Sequence, residues 1–583
     1  MEDKEKQIKA LAFITFIVIL AFVLRLWQLQ ILKGDQFREL SERNRVSIVK
    51  IPAPRGIIYD RKGKALVKNA PFFVASLLPE PTQKEINMTD LSALLKVPVE
   101  DLSEKIIHKK THSIEPIPLK RGLTFEEVAK IEARRADFPG LIIETEIIRD
   151  YPYNSTAAHL IGYLSRPSDE QMKTGSYDDS PKGTYVGRWG VEALFNERLQ
   201  GKPGIRYIEV DALGRQLHTL KVVPPQRGED IHLSIDIKAQ IAAERAFKKR
   251  SGALLALDPE NGEILALVSL PSFDPNLFVR GISPDTWRRY IRQPGHPFLN
   301  RVFQSRYPPG SVFKLITAIA ALEEGVISKD FKVNCTGQIH VGKWTFRCWK
   351  KGGHGLISLK RAIVESCDVY FYEVGRLLGI DRIAKYAQAL GLDRPPGVHL
   401  SAERAGLIPS TKWKRQSRGK PWYLGETFNA AIGQGYVSLT PAQVALLISA
   451  IASDGKVFRP SLTVDSGTPE PIAKLSFKPQ TLKILKNALV AVVNSPRGTG
   501  RLARSDKYLI AGKTGTAQVV RLPERNMNTG RNLIKDHAWF VAYAPAENPE
   551  IALSVFVEHG GHGGTAAAPI ARKTIEAYLD GEK

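Results

Sequence analysis

One stretch constrains this chain more than any other. Ala10 to Leu32 is apolar with a single charge, Arg25. About twenty such residues are needed to cross a bilayer. The uncharged part, Ala10 to Leu24, is short for a span, but Arg25 can snorkel to the interface and let Leu26 to Leu32 complete it. No small-residue cleavage site follows; the chain runs on through Leu26-Trp27-Gln28-Leu29-Gln30. The segment therefore reads as a retained signal anchor at 10–32 behind a cytoplasmic tail at 1–9. Lys4, Lys6 and Lys9 favour a cytoplasmic N-terminus, with Arg25 and Lys33 on the far side weakening the bias. No second apolar stretch of that length occurs, so the rest must fold in one extracytoplasmic compartment.

The chain has 583 residues, enough for two to four domains with ample core. Its net charge of +23 calls for anionic surroundings such as a membrane surface. Zinc-finger spacing and RNP-like aromatic motifs are missing, so nucleic acid is not expected as a partner. A solvated basic surface accounts for much of the excess.

Behind the anchor, Asp35 to Asn44 reads as a short charged helix. Pro52 to Ile58 is extended, and Asp60-Arg61-Lys62-Gly63-Lys64 is a turn. Val99 to Ile107 and Thr124 to Arg135 read as helices, Ile142 to Ile148 as a strand. Punctuated segments follow at Tyr151 to Gly162 and Tyr185 to Gly204. Pro224-Pro225-Gln226-Arg227-Gly228 reads as a linker, placing a boundary near 230 and giving an N-terminal domain at 33–230 and a C-terminal one at 231–583. In the latter, an amphipathic helix (Asp236 to Lys249) precedes two strands (Gly252 to Asp258, Glu263 to Ser269). A mostly helical insert runs from Trp287 to about Ile451. Strands at Leu509 to Val519, Ala538 to Tyr543 and Ile551 to Val557 then lead to a last helix, Ala566 to Leu579, capped by Thr565. First and last helices around two strand groups, with a helical body between, predict an α+β domain built on one antiparallel sheet flanked by helices.

Three short motifs carry chemistry. Ser311-Val312-Phe313-Lys314 follows Tyr307-Pro308-Pro309-Gly310 and opens an apolar helix. Ser311 and Lys314 are three residues apart and so share a helix face. A serine hydroxyl needs a base within hydrogen-bond reach to become a nucleophile, and Lys314 qualifies if burial and neighbouring cations lower its pKa. An S-x-x-K alone is weak: Ser47-Ile48-Val49-Lys50 is a second copy without a Pro-Gly turn or apolar helix. Ser366-Cys367-Asp368 lies between two helical stretches. Lys513-Thr514-Gly515-Thr516 lies on a strand, unlike the Lys173-Thr174-Gly175 copy in a polar loop. This triple is the one shared by penicillin-binding proteins and serine β-lactamases.

The chain resembles a class B penicillin-binding protein nearly throughout. Pro54-Arg55-Gly56-Ile57-Ile58-Tyr59-Asp60-Arg61 is similar to the family's R-G-x-x-x-D-R box, and Gly187 to Gly204 to its G-x-x-G-[LV]-E box. Both lie in a pedestal (dimerisation-type) domain that β-lactamases lack. Pro421 to Thr427 and Ile432-Gly433-Gln434-Gly435 resemble the elongation-type subgroup, penicillin-binding protein 2. The superfamily usually has Asn at position 368, whereas Asp is typical of this subgroup. The resemblance implies a transmembrane helix, an elongated α+β pedestal and a β-lactamase-like transpeptidase domain in the bacterial inner membrane, with the catalytic domain periplasmic. It implies a serine-type D-Ala-D-Ala transpeptidase/carboxypeptidase that cross-links peptidoglycan stem peptides through a Ser311 acyl-enzyme, releases D-alanine and is acylated by β-lactams, with no cofactor for catalysis. Lys314 would be the base. Ser366 and Asp368 would relay protons and bind the substrate amide. Lys513, with the Thr514 and Thr516 hydroxyls, would take the terminal carboxylate. The backbone N–H groups of Ser311 and Thr516 would form the oxyanion hole. The implied partners are a SEDS glycosyltransferase of the RodA type and the elongation complex. Two other functions are compatible with parts of the pattern. A β-lactam sensor or β-lactamase would lack the pedestal boxes, and a non-catalytic activator of a glycan polymerase would not need Ser311, Lys314 and Lys513.

Cys335, Cys348 and Cys367 are the only cysteines, and His354 lies among them as C-x12-C-x5-H-x12-C. A structural zinc site of the Cys3His kind is one reading. The others are a Cys335–Cys348 disulfide with a free buried Cys367, and a turn role for His354. Elongation-type members resemble this pattern in carrying acidic, His and Cys residues at similar places. Bound metal would brace the Ser366-Cys367-Asp368 loop. Trp344 and Trp349 read as core or loop packing rather than a binding platform, and His559 to Gly564 as the connection from the last strand to the last helix.

Overall fold

A computed structural model describes residues 2–33, 35, 46–78, 86–109, 116–167, 184–210, 216–400, 402–464, 470–518 and 535–582. Most of the Asp35–Asn44 helix, the Lys173-Thr174-Gly175 loop and the end of the strand expected to reach Val519 lie outside the described residues. Glu2–Trp27 is one helix, continued by a π-helical segment, Gln28–Leu32. Its mean hydropathy reaches 2.5, and it is long and apolar enough to span a bilayer. Its large apolar side chains are exposed, as a lipid-facing helix requires.

The N-terminal part is built on Ala65–Leu77, which pairs with Leu141–Asp150, Ile117–Leu123 and the short Ile58–Tyr59. A separate three-stranded sheet joins Val46–Ile51, Gly204–Val210 and Gln216–Val223. Ser47 and Lys50 lie in its first strand, opposite Ile208 and Ile205. Side chains three apart on a strand point to opposite faces, so this second S-x-x-K cannot act as a pair. The two sequence boxes meet in the interior. Glu192, fully buried, accepts hydrogen bonds from Arg55 Nη2 (2.8 Å) and Arg149 Nε (2.7 Å). Asp60 folds the following turn, accepting from the backbone N–H of Lys62 (2.9 Å) and Lys64 (2.8 Å).

The C-terminal part is a five-stranded antiparallel sheet in the order Ile264–Leu270, Gly252–Leu257, Ile551–Val557, His537–Ala544, Ala511–Ala517. Its strands are almost continuously apolar because both faces are covered. Strand periodicity sorts them: Leu254 and Ala256 pack beneath the first and last helices (Ile237–Ala246, Ala568–Glu582), whereas Leu255 and Leu257 face the helical body. That body is less uniformly helical than its sequence implied. Two small antiparallel pairs interrupt it, Lys332–Cys335 with Gly355–Ser358 and Gln338–Val341 with Trp344–Arg347. Their alternation of apolar and polar residues is too short to stand out in sequence; the first pair includes Cys335, and the second lies between Cys335 and Cys348. Thr565 does not cap the last helix. It lies within the short turn Gly563–Ala566, donating its hydroxyl to His562 O, and the long helix begins only at Ala568.

Candidate active site

Three elements converge at the free edge of the sheet. Gly310–Val312 forms a tight 3-10 turn that runs directly into the buried helix Lys314–Glu323. Gly310 has φ +55°, and a Cβ there would sit 2.4 Å from Thr516 O, so only glycine lets this turn lie against the strand. Ser311 is half-buried at the turn. Lys314, one turn on, is completely buried and directs its Nζ to Asp368 Oδ1 (2.7 Å), Ser366 O (2.9 Å) and Ser366 Oγ (3.4 Å). Its hydrogen-bond partners are thus the second motif rather than Ser311. Such a nucleophile–base contact commonly tightens only when substrate arrives.

Ser366 closes the second wall in a left-handed conformation (φ 54°), which costs a β-substituted residue of order 1–3 kcal/mol and is held by its surroundings. Its hydroxyl also accepts from Lys513 Nζ at 2.9 Å, so Lys314, Ser366 and Lys513 form one chain of polar atoms. Burial pushes the Lys513 ammonium well below its ordinary range; the nearby Lys314 adds to this, and Asp368 opposes it. Thr514 Oγ1 lies 2.8 Å from Thr499 Oγ1. Thr516 O accepts from Gln434 Nε2 (3.2 Å), away from the paired strand. In an antiparallel ladder a residue's N–H and C=O point the same way, so the Thr516 N–H also faces the open edge, towards the Gly310–Ser311 turn.

The expected site residues Ser311, Lys314, Ser366, Asp368, Lys513, Thr514 and Thr516 therefore line one site. Asp368 has both oxygens engaged, the second accepting from Trp349 N (2.9 Å). Trp349 also donates its indole N–H to Ser366 O (3.1 Å), although the residue is 60% exposed. It is a wall residue, not core packing, and Trp344 is likewise exposed. Thr499 and Gln434 were not legible as site residues: each meets the site only through side-chain hydrogen bonds across the tertiary fold, and the Ile432-Gly433-Gln434-Gly435 segment marked a subgroup rather than a chemical role.

Cys335, Cys348, His354 and Cys367 are all buried and bring their donor atoms within 4.8 Å of one another. The cysteines are free thiols, so the Cys335–Cys348 disulfide is not formed. His354 Nδ1 is 3.6 Å from both Cys335 Sγ and Cys348 Sγ. A tetrahedral zinc with ordinary Zn–S and Zn–N bonds sets an S···N separation of about 3.6 Å. A hydrogen bond from Cys367 favours the thiolate form of Cys348 and lowers its pKa. The donor set and spacing fit such an ion. The cluster is wired to the catalytic wall through Asp368 N, which donates to Cys348 Sγ (3.4 Å).

The family model described as "Penicillin binding protein transpeptidase domain" matches residues 252–576, and "Penicillin-binding Protein dimerisation domain" matches 50–233. The chain belongs to the penicillin-binding proteins, class B, of the penicillin-binding protein 2 type. Among its relatives is the peptidoglycan D,D-transpeptidase MrdA of Haemophilus influenzae, 35% identical over 99% of this chain and 93% of that protein. Among solved structures it is similar to the penicillin-binding protein PBP2 of Helicobacter pylori in complex with MreC. That likeness has a TM-score of 0.80 and 31% identity, over 92% of this chain and 99% of that one. A chain from a peptidoglycan synthase complex, studied for the coordination of polymerization and crosslinking, matches with TM-score 0.74 and 32% identity over 98% of each chain.

Proposed function

We propose that this protein is a peptidoglycan D,D-transpeptidase in which Ser311 is the nucleophile. The observation that carries this reading is the convergence on Ser366 Oγ of the amines of Lys513 and of Lys314, the latter one helical turn from Ser311. Ser311 Oγ attacks the carbonyl of the penultimate D-alanine of a stem peptide, passing its proton to Lys314 as base. The negative charge that develops on the carbonyl oxygen is received by the N–H groups of Ser311 and Thr516. The peptide C–N bond breaks, and the departing D-alanine amine takes the proton that Lys314 received, relayed through Ser366 Oγ, leaving Lys314 neutral again. An amine of a neighbouring stem then attacks the ester, restoring the serine; water in its place gives carboxypeptidase activity. Lys513 pairs with the terminal carboxylate, flanked by the Thr514 and Thr516 hydroxyls. Asp368 acts as counter-ion to the Lys314 ammonium that the proton transfer from Ser311 leaves, its second oxygen being held by Trp349 N.

The same attack on a β-lactam leaves a stalled acyl-enzyme, which supplies the test. The full chain should be labelled covalently by a fluorescent penicillin, and Ser311→Ala should abolish the label while leaving Tm unchanged. An unlabelled wild type would instead favour a purely activating role for a glycan polymerase.

The Glu2–Trp27 helix serves as a single-pass anchor in the inner membrane, with the catalytic domain periplasmic. The pedestal is the contact surface for a RodA-type glycosyltransferase within the elongation complex; relatives solved with MreC and in a synthase complex support this. Cys335, Cys348, His354 and Cys367 hold a structural zinc that braces the Ser366-Cys367-Asp368 wall and takes no part in the reaction. Metal analysis of purified protein should find one zinc per chain and no thiol reactive before chelation. Absence of zinc with freely titrating thiols would remove the metal.

A further inference from the structure

We propose that Gln434 is a positioning residue that sets the width of the oxyanion hole. This rests on the reading of Ser311 and Thr516 as its two N–H donors. Those donors belong to elements far apart in sequence, one on the nucleophile turn and one on the edge strand. Edge strands have no neighbour on their outer side to hold them in place. Here the Gly433–Gln434 turn, which follows the helix Leu424–Ala431, bridges the two. On one side, Gly310 N donates to Gly433 O at 3.0 Å, so the residue just before Ser311 hangs from this turn. On the other, Gln434 Nε2 donates to Thr516 O at 3.2 Å. Only the NH2 end of the amide can face a carbonyl acceptor, which fixes the orientation of the side chain.

The bridge has little slack. Gly433 has φ +72°, and a Cβ at that position would lie 2.3 Å from Gly310 O and 2.6 Å from Phe313 Cβ. The backbones of the two turns are therefore in direct contact. The turn is itself tied back by Gln434 N to Asn429 O (2.9 Å), so it moves with a packed helix rather than as a free loop. Donation into Thr516 O also restrains the backbone of Thr516, whose own N–H points to the same edge. Gln434 is half-buried, and its neutral amide serves neither as nucleophile nor as base. Its effect would be to hold a donor at the separation the developing oxyanion requires.

The test uses the full chain in detergent and separates binding from acylation. Gln434→Met keeps the length of the side chain without a donor, and Gln434→Glu replaces the donor with a carboxylate that repels both Thr516 O and the oxyanion. For acylation by benzylpenicillin, the first-order acylation constant should fall about tenfold in Gln434→Met and further in Gln434→Glu. The dissociation constant of the preceding complex should stay within about twofold. The distinguishing readout is the rate ratio for an N-acyl-D-alanyl depsipeptide and its thiono analogue. Sulfur is larger and a weaker acceptor, so a hole of set width favours oxygen, and that preference should shrink in both variants. An unchanged acylation constant, a loss confined to binding, or an unchanged oxygen-to-sulfur ratio would each overturn the proposal. Failure of the Ser311→Ala labelling experiment would instead overturn the site reading beneath it.

Discussion

Lys513 shows how tertiary surroundings set the chemistry of a single residue. Its amine is fully buried beside a second lysine, and burial is the main cause of its depressed pKa. In its proposed role, Lys513 regains its proton when the substrate carboxylate arrives, so donor binding takes up a proton once the pH exceeds the free-enzyme value. The affinity for a carboxylate-bearing donor should then fall about tenfold per pH unit between that lowered value and the pKa of the liganded lysine. Asp368 is the nearby anion that raises the Lys513 value. Asp368→Asn should therefore move the decline to lower pH. Affinity measured against pH for wild type and variant checks both statements, and a flat profile would contradict them. The identities of Ser311, Lys314 and Lys513 were legible as motifs. That the Lys314 amine faces Asp368 and Ser366 was not, because those contacts span more than fifty residues of sequence.

At the level of elements, the pedestal depends on a buried charge cluster. Burial disfavours the Glu192 carboxylate, but Arg149 and Arg55 more than offset this and hold its pKa below the ordinary 4.5. A carboxyl with a depressed folded pKa contributes stability that is present above 4.5 and lost as pH falls through the folded value. Scanning calorimetry should therefore show Tm falling below pH 4.5 in the wild type. Arg149→Met leaves a buried carboxylate with one cationic partner and should cost about 3–5 kcal/mol at neutral pH, as for other broken buried pairs. A change under about 1 kcal/mol would show that the cluster is not holding the pedestal together. The two boxes that supply Arg55 and Glu192 were recognisable in sequence, whereas Arg149, on the strand Leu141–Asp150, carried no motif.

Across the whole molecule, the hydrophobic cores do not follow the domain boundary. Ile58, Leu66 and Val74 of the pedestal belong to the same continuous core as Leu255, Phe303 and Ile316 of the catalytic part. The outer end of the pedestal has a small core of its own, with Leu91, Leu102, Leu119 and Phe138 among its members. The base is further clasped by Arg61, whose Nη1 donates to Tyr578 Oη of the last helix (2.9 Å), and by Lys62, paired with Asp236 (2.9 Å). Elements with few shared apolar contacts open at lower free energy. Hydrogen exchange should accordingly be faster in 88–141 than in the strands Gly252–Leu257 and Ile264–Leu270, with the pedestal base protected along with the catalytic domain. Equal protection of head and base would mean that the small core does not open by itself.

Local chemistry in the sequence determined the apolar N-terminal helix, the three motifs that line the site, the antiparallel sheet with its covering helices and the cysteine–histidine grouping. Each depends on residue type or short-range periodicity, which the chain displays directly. Only the tertiary structure decided what those residues do to one another. It separated the Ser47–Lys50 copy from Ser311–Lys314 by placing the former on a strand. It brought two lysines onto one serine, turned Trp349 outward, kept the thiols unpaired around His354, and joined Gln434 to Thr516 O on the edge strand. The physical reason is range: hydrogen bonds, desolvation and van der Waals exclusion act over a few ångströms, between groups that the fold, not the sequence, makes neighbours.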